Sequence, residues 1–100
     1  MQIHKIYCGL LSSVFSTEEA AALVRSLAIE YFPNGHTIHE ATGRWNGGTG
    51  PINEQTLIVE VWEVNGFLKP PYAEFAGEFK DRAKQESVVI LSVKSDALVI

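Results

Sequence analysis

Apolar and polar residues recur along this chain with two different periods, and the switches between them mark its elements. Gln2 to Leu10 gathers Ile3, Ile6, Tyr7, Cys8 and Leu10, a run of β-branched, aromatic and apolar side chains that predicts a strand. After a connection over Leu11 to Phe15 the period lengthens. Ser16-Thr17-Glu18-Glu19 has the form of a capping box, in which the serine side chain accepts from the third helical N–H and the glutamate reaches back. Ala20, Leu23, Val24, Leu27 and Tyr31 then recur every three or four residues, which predicts a helix to about Tyr31 with that stripe buried. Pro33-Asn34-Gly35 stops it and turns the chain.

Thr37 to Trp45 reads as a second strand, and Asn46-Gly47-Gly48-Thr49-Gly50-Pro51 as a glycine-rich turn into a third. The two should form an antiparallel hairpin with a long loop. The third strand, Gln55 to Val64, is apolar on both sides: Leu57, Val59 and Val61 on one parity, and Ile58, Trp62 and Val64 on the other, with Glu60 among them. A strand at the surface of a small domain ordinarily alternates apolar with polar. Gly66 breaks the strand, and Pro70-Pro71 opens a second helix, with Pro71 near the first helical position, where a missing N–H costs nothing. Tyr72, Phe75, Ala76, Phe79 and Ala83 form its apolar stripe. Gly77 weakens it by about 1 kcal/mol relative to alanine, so tertiary packing must hold it. Ser87 to Val93 is a fourth strand, again apolar on both parities (Val88 and Ile90 against Val89 and Leu91), and Ala97 to Ile100 reads as a short fifth.

The order β-α-β-β-α-β is that of the ferredoxin-like split βαβ arrangement, an α+β fold with two helices on one face of an antiparallel sheet. The other face is left open, and the third and fourth strands make it apolar. Exposed apolar area of that kind marks an interface or a binding groove. The expectation is therefore a homo-oligomer built around a symmetric dimer.

One hundred residues make a single domain, 1–100, and 46% apolar with 20% charged residues is ordinary for a folded soluble chain. The net charge of −4 and the lack of a Lys/Arg cluster argue against a nucleic-acid polymer and against an anionic membrane as partner, though not against a small anion. Cys8 is the only cysteine, so neither an internal disulfide nor a multi-Cys zinc site can form, and its apolar strand makes it a buried small hydrophobe. No charged n-region with an apolar h-region opens the chain, and no apolar run reaches the roughly 20 residues of a membrane span. The expected location is the cytoplasm.

Tyr7-x-Gly9, Phe32-Pro33-x-Gly35-x-Thr37, Gly43-x-Trp45, Glu54, Phe79-Lys80 and Gln85-Glu86-Ser87-Val88 follow one another in an order and spacing that resembles the bacterial family catalogued as domain of unknown function 3574. The Gln-Glu-Ser-Val tetrapeptide and the Phe-Pro-x-Gly-x-Thr turn are the most specific parts. The resemblance implies an α+β domain of this size and no particular reaction. Many members of that family carry a secretory or lipoprotein leader. Here Ile6-Tyr7-Cys8-Gly9 is no lipobox, since no apolar leader precedes it, and the chain is shorter around the second helix. Both departures count against an envelope location.

Several residues could carry chemistry. Glu60 shares its strand side with Ile58 and Trp62, an apolar setting that would raise its pKa as a general acid or base needs, unless an Arg or Thr56 satisfies it. Glu54, Gln85 and Glu86 are the other strand-linked candidates, with bonds to loop backbone as the plainer role for Gln85 and Glu86. His4, His36 and His39 match no metal-ligand spacing, and no metal or cofactor is expected. Arg44-Trp45-Asn46-Gly47-Gly48-Thr49-Gly50 is the best binding candidate: its glycines let consecutive N–H groups converge on an anion, Arg44 offers a bidentate fork, and Trp45 a stacking face. It lacks the ending of a P-loop, and a hairpin tip is its plainer reading. No nucleophile, base and orienter set is visible along the chain.

Two functions follow. One is an oligomeric binding module for a small anionic planar ligand such as a nucleotide-derived signal, using Tyr7, Arg44 to Thr49, Glu54 and Gln85. The other is a cofactor-free isomerase, lyase or monooxygenase of the dimeric ferredoxin-like kind, with Glu60 or Glu86 (or a histidine) moving the proton and Tyr7 donating a hydrogen bond. Fold analogy alone supports the second. A protein-partner module using the apolar sheet is the third possibility.

Overall fold

The computed structural model describes residues 1–96. The elements run β1 (Gln2–Gly9), α1 (Thr17–Tyr31), β2 (Thr37–Gly47), β3 (Gly50–Glu63), α2 (Tyr72–Ala83) and β4 (Val89–Lys94). The strands form one antiparallel sheet in the order β2-β3-β1-β4, with both helices on one face, as the split βαβ order requires. The expected fifth strand at Ala97–Ile100 lies outside the described residues.

The capping box forms as the sequence implies: Glu19 N–H donates to Ser16 Oγ at 3.1 Å, and Ser16 N–H donates to Glu19 Oε1 at 3.0 Å. These bonds hold the Glu19 carboxyl below its ordinary range. Both helices bury the expected stripes, with Ala28 added to the first; Tyr31 and Tyr72 are half-buried at the margins. Tyr31 Oη donates to Glu78 Oε1 at 2.6 Å and ties α1 to α2, and losing that proton beside a carboxylate is costly enough to push the Tyr31 pKa up to about 12. The core lies between helices and sheet, where Ile6, Cys8, Leu57, Val59 and Val61 meet Val24, Leu27, Phe75 and Phe79.

The hairpin departs from expectation. β2 continues through Asn46 and Gly47, β3 starts at Gly50, and Gly47 pairs with Gly50, leaving only Gly48 and Thr49 as the turn. Glycines depress strand propensity and so read as a long loop, but here Gly50, at φ 121°, already opens β3 directly after the two-residue turn. β1 pairs with β3 only from Thr56 onward, so Gly43 to Asn53 project past the sheet as a two-stranded ribbon. Pro51 is tolerated there because β3 has a neighbour on one side only.

Candidate functional site

Antiparallel register puts directly opposed residues on the same face. The open face can therefore be read as rows across the sheet. His39, Ile58, Tyr7 and Val89 make one bulky row. The next row is Ala41, Thr56 and Gly9, all small. Beyond it come Gly43 opposite Glu54 and then Trp45 opposite Ile52 on the ribbon. A row of small residues between bulky ones is a transverse notch. It forms a depression of about 220 Å³ lined by Tyr7, Ala41, Thr42, Gly43, Arg44, Trp45, Thr56 and Ile58.

Two glycines shape the notch by what they leave out. A Cβ on Gly43 would lie 3.0 Å from Trp45 Nε1 and 3.2 Å from Thr56 Oγ1, so the indole settles onto the sheet only because Gly43 has no side chain. A Cβ on Gly9 would lie 2.5 Å from Glu54 Oε1. The Glu54 carboxylate leans over Gly9 and accepts from Leu11 N–H at 3.2 Å. Thr56 is 5% exposed, and its Oγ1 is a buried polar atom with no hydrogen-bond partner among the described residues. An unpaired buried hydroxyl costs about 1–3 kcal/mol, and such an atom calls for an explanation in function or solvent.

The predicted site residues fall into separate groups. Tyr7, Trp45, Glu54 and Glu60 stand on the open face. Arg44 borders the notch with Trp45, but consecutive strand residues point to opposite faces, and the Arg44 guanidinium donates across the ribbon to Asn53 Oδ1 at 3.2 Å. Asn46 and Gly47 belong to the ladder and only Gly48 and Thr49 turn, so the expected cradle of successive loop N–H groups beside Arg44 is not formed. Gln85 Nε2 donates to Leu11 O at 2.8 Å, which pins the connection before α1, and Glu86 lies exposed after α2.

Glu60 is not an isolated carboxylate in apolar surroundings. Trp62 Nε1 donates to its Oε2 at 3.1 Å, His39 Nε2 lies 3.6 Å from its Oε1, and Lys5 stands opposite it in register. Its partners are thus neither Thr56 nor an arginine. His36 Nδ1 donates to Phe32 O at 3.0 Å. His4 is buried on the helix-covered face, away from His39. No group of three His, Cys, Asp or Glu among the described residues is arranged to hold a metal ion.

A second cleft, of about 370 Å³, lies between the first turns of α1 and the middle of β2 and β3. Thr17, Glu18, Arg25, Glu40 and Gln55 make it polar, and Arg25 and Glu40 pair across it at 3.4 Å. It has no aromatic wall.

The notch was hidden from sequence reading because its small residues come from three strands and meet only through register. Glu54 and Tyr7 were visible singly, and the conspicuous spacing Gly43-x-Trp45 was the one signal of close approach. No helix among the described residues is long and apolar enough to cross a membrane. No family model and no curated protein matches the chain. Solved structures do share the fold. A phage SAM lyase in complex with S-methyl-5′-thioadenosine superposes with a TM-score of 0.70 at 14% identity, over 93% of this chain and 80% of that one. A phage SAM lyase in the apo state gives 0.63 at 16% identity, over 98% and 92%. At these identities the likeness is one of fold, and it establishes this chain as a ferredoxin-like α+β domain.

Proposed function

We propose that this chain is a binding module for a planar nucleoside without a phosphate, seated in the open-face notch of a homo-oligomer. The observation that carries the reading is the unpartnered Thr56 hydroxyl at the base of a notch walled by Trp45 and Tyr7. Aromatic walls suit a flat heterocycle, and a buried hydroxyl suits a polar atom on its edge.

Charge narrows the class. Arg44 borders the notch but its guanidinium donates to Asn53, and the Glu60 carboxylate on this face is met by Trp62 and His39 with Lys5 opposite. With the Arg44 guanidinium already engaged by Asn53, an uncharged ligand fits this notch better than the anionic nucleotide the sequence suggested. S-methyl-5′-thioadenosine, bound by one structural neighbour, is an uncharged nucleoside and the natural first probe.

Size and exposure support the oligomer. About 220 Å³ falls below the roughly 300–1,000 Å³ of complete small-molecule pockets, so one chain walls only part of the ligand. Trp45, Ile52, Trp62, Val89, Leu91 and Val93 stand exposed on the same face, and exposed apolar surface of this kind marks interaction sites. The projecting ribbon points the same way, since a lone two-stranded hairpin is marginally stable in water. A second copy over this face covers the apolar residues and completes the pocket.

Titration with S-methyl-5′-thioadenosine, followed by tryptophan fluorescence and calorimetry, tests the reading. Saturable binding that quenches fluorescence, with the quench lost in Trp45→Phe, supports it. Absence of binding to the folded oligomer, or binding unchanged in Thr56→Val, overturns it. Mass spectrometry of the recovered nucleoside separates binding from turnover: an altered molecule moves the reading to an enzyme with Glu54 beside the ligand.

A further inference from the structure

At the opposite end of the sheet, three side chains from adjacent strands form a continuous hydrogen-bonded line. His4 on β1 is 0% exposed. Its Nδ1 lies 2.6 Å from Ser92 Oγ on β4, and its Nε2 lies 2.9 Å from Glu63 Oε1 on β3. Register produces this arrangement: His4 is directly opposite Ser92, and Glu63 lies two residues beyond Val61, His4's partner on the other side. The His4 ring is fixed from above by Tyr72, stacked at 3.9 Å with the planes 19° apart.

The partners assign the tautomer. An ionised carboxylate only accepts, so Nε2 carries the proton and donates to Glu63. In the neutral ring Nδ1 is then an acceptor, and Ser92 Oγ–H donates to it. That is the arrangement of a nucleophile, a base and an orienting acid. The ring is reversed relative to the serine-protease order, with Nδ1 rather than Nε2 facing the hydroxyl, and both nitrogens are competent bases. Ser92 is exposed while its base is sealed from water.

We propose that Ser92, His4 and Glu63 form an activated hydroxyl that accepts acyl groups from small esters with good leaving groups. Ser92 Oγ attacks the carbonyl carbon, and its proton passes to His4 Nδ1. The adduct collapses, the bond to the leaving oxygen breaks, and that oxygen takes the proton from His4. Water then enters by the same route, releasing the carboxylic acid and restoring Ser92. Negative charge developing on the carbonyl oxygen meets the Lys94 ammonium, two residues along the same face of β4, and the outward N–H groups of a strand that pairs only with β1 among the described residues. Glu63 is a positioning residue: it fixes the ring and its tautomer.

A fluorophosphonate probe tests this, since attack by Ser92 Oγ expels fluoride and leaves a stable adduct. The expected result is one adduct per chain, mapped by peptide mass spectrometry to Ser92 and absent in Ser92→Ala. Labelling should slow by about a hundredfold or more in His4→Gln and measurably in Glu63→Gln, as loss of a general base and of its orienter predicts. Glu63 is partly exposed, so its variant serves if His4→Gln does not fold. No adduct on the folded protein, an adduct elsewhere, or equal labelling of Ser92 in Glu63→Gln and the parent overturns the proposal.

Discussion

On the helix side of the sheet, Ile6, Cys8, Leu57, Val59 and Val61 are at most 3% exposed; on the other side Trp62, Val89, Leu91 and Val93 are 45–53% exposed. The first set comes from β1 and β3 and the second from β3 and β4, and on β3 the two alternate. Both sets are apolar, and the helices stand over the first and not the second. The covered face is also satisfied in its polar groups, with both nitrogens of His4 bonded, whereas the open face holds the unpartnered Thr56 hydroxyl. One face is largely packed within the chain. The other has the features of a surface shaped to receive something.

The largest effect should come from the covered face. Phe75 is 0% exposed, and Phe75→Ala should cost about 3–5 kcal/mol in urea unfolding, the usual penalty for a cavity that cannot collapse. A loss below about 1 kcal/mol would mean that this core is not close-packed.

Cys8 tests the same face through pH. Burial without a charge partner pushes its thiol up from an ordinary 9.0 to about 12. A raised folded-state pKa means that Cys8's contribution to stability is fully present below pH 9 and is lost as pH rises toward 12. Native protein at pH 8 should therefore resist a thiol-reactive disulfide that modifies the denatured chain at once. Rapid modification of native protein would place Cys8 in contact with solvent.

Thr56→Val sharpens the contrast because the faces predict opposite signs. Removing an unpartnered buried hydroxyl at nearly constant shape should leave stability unchanged or raise it by about 1 kcal/mol, while nucleoside binding falls. Destabilisation by more than about 1 kcal/mol would show that the hydroxyl is structural.

The smallest expected change in folding free energy comes from the open face itself. Trp62→Lys with Leu91→Lys should alter the monomer's stability by only about 0.5 kcal/mol, the usual range for surface substitutions, yet dissociate the oligomer as read by light scattering. An unchanged mass would remove the second copy from this face.

Much of this was legible in the chain. The 3.6-residue stripes placed both helices, the capping box fixed the start of α1, and the doubled apolar parity of Gln55 to Val64 announced a second, uncovered face. What could not be read depends on register. Ala41, Thr56 and Gly9 are far apart in sequence and become one row only when β2, β3 and β1 align. Ser92, His4 and Glu63 meet for the same reason, and no local motif precedes them. Arg44 and Trp45 show the converse: adjacency in sequence suggested a shared site, and strand geometry sends them to opposite faces.

Amide and indole chemical-shift mapping of the labelled protein with S-methyl-5′-thioadenosine tests the central claim most directly. The account predicts saturable shifts at Ala41, Gly43, Thr56, Ile58 and the Trp45 indole. Shifts confined to the cleft beside α1, at Thr17, Ala21 and Arg25, or no shifts at all, would contradict it.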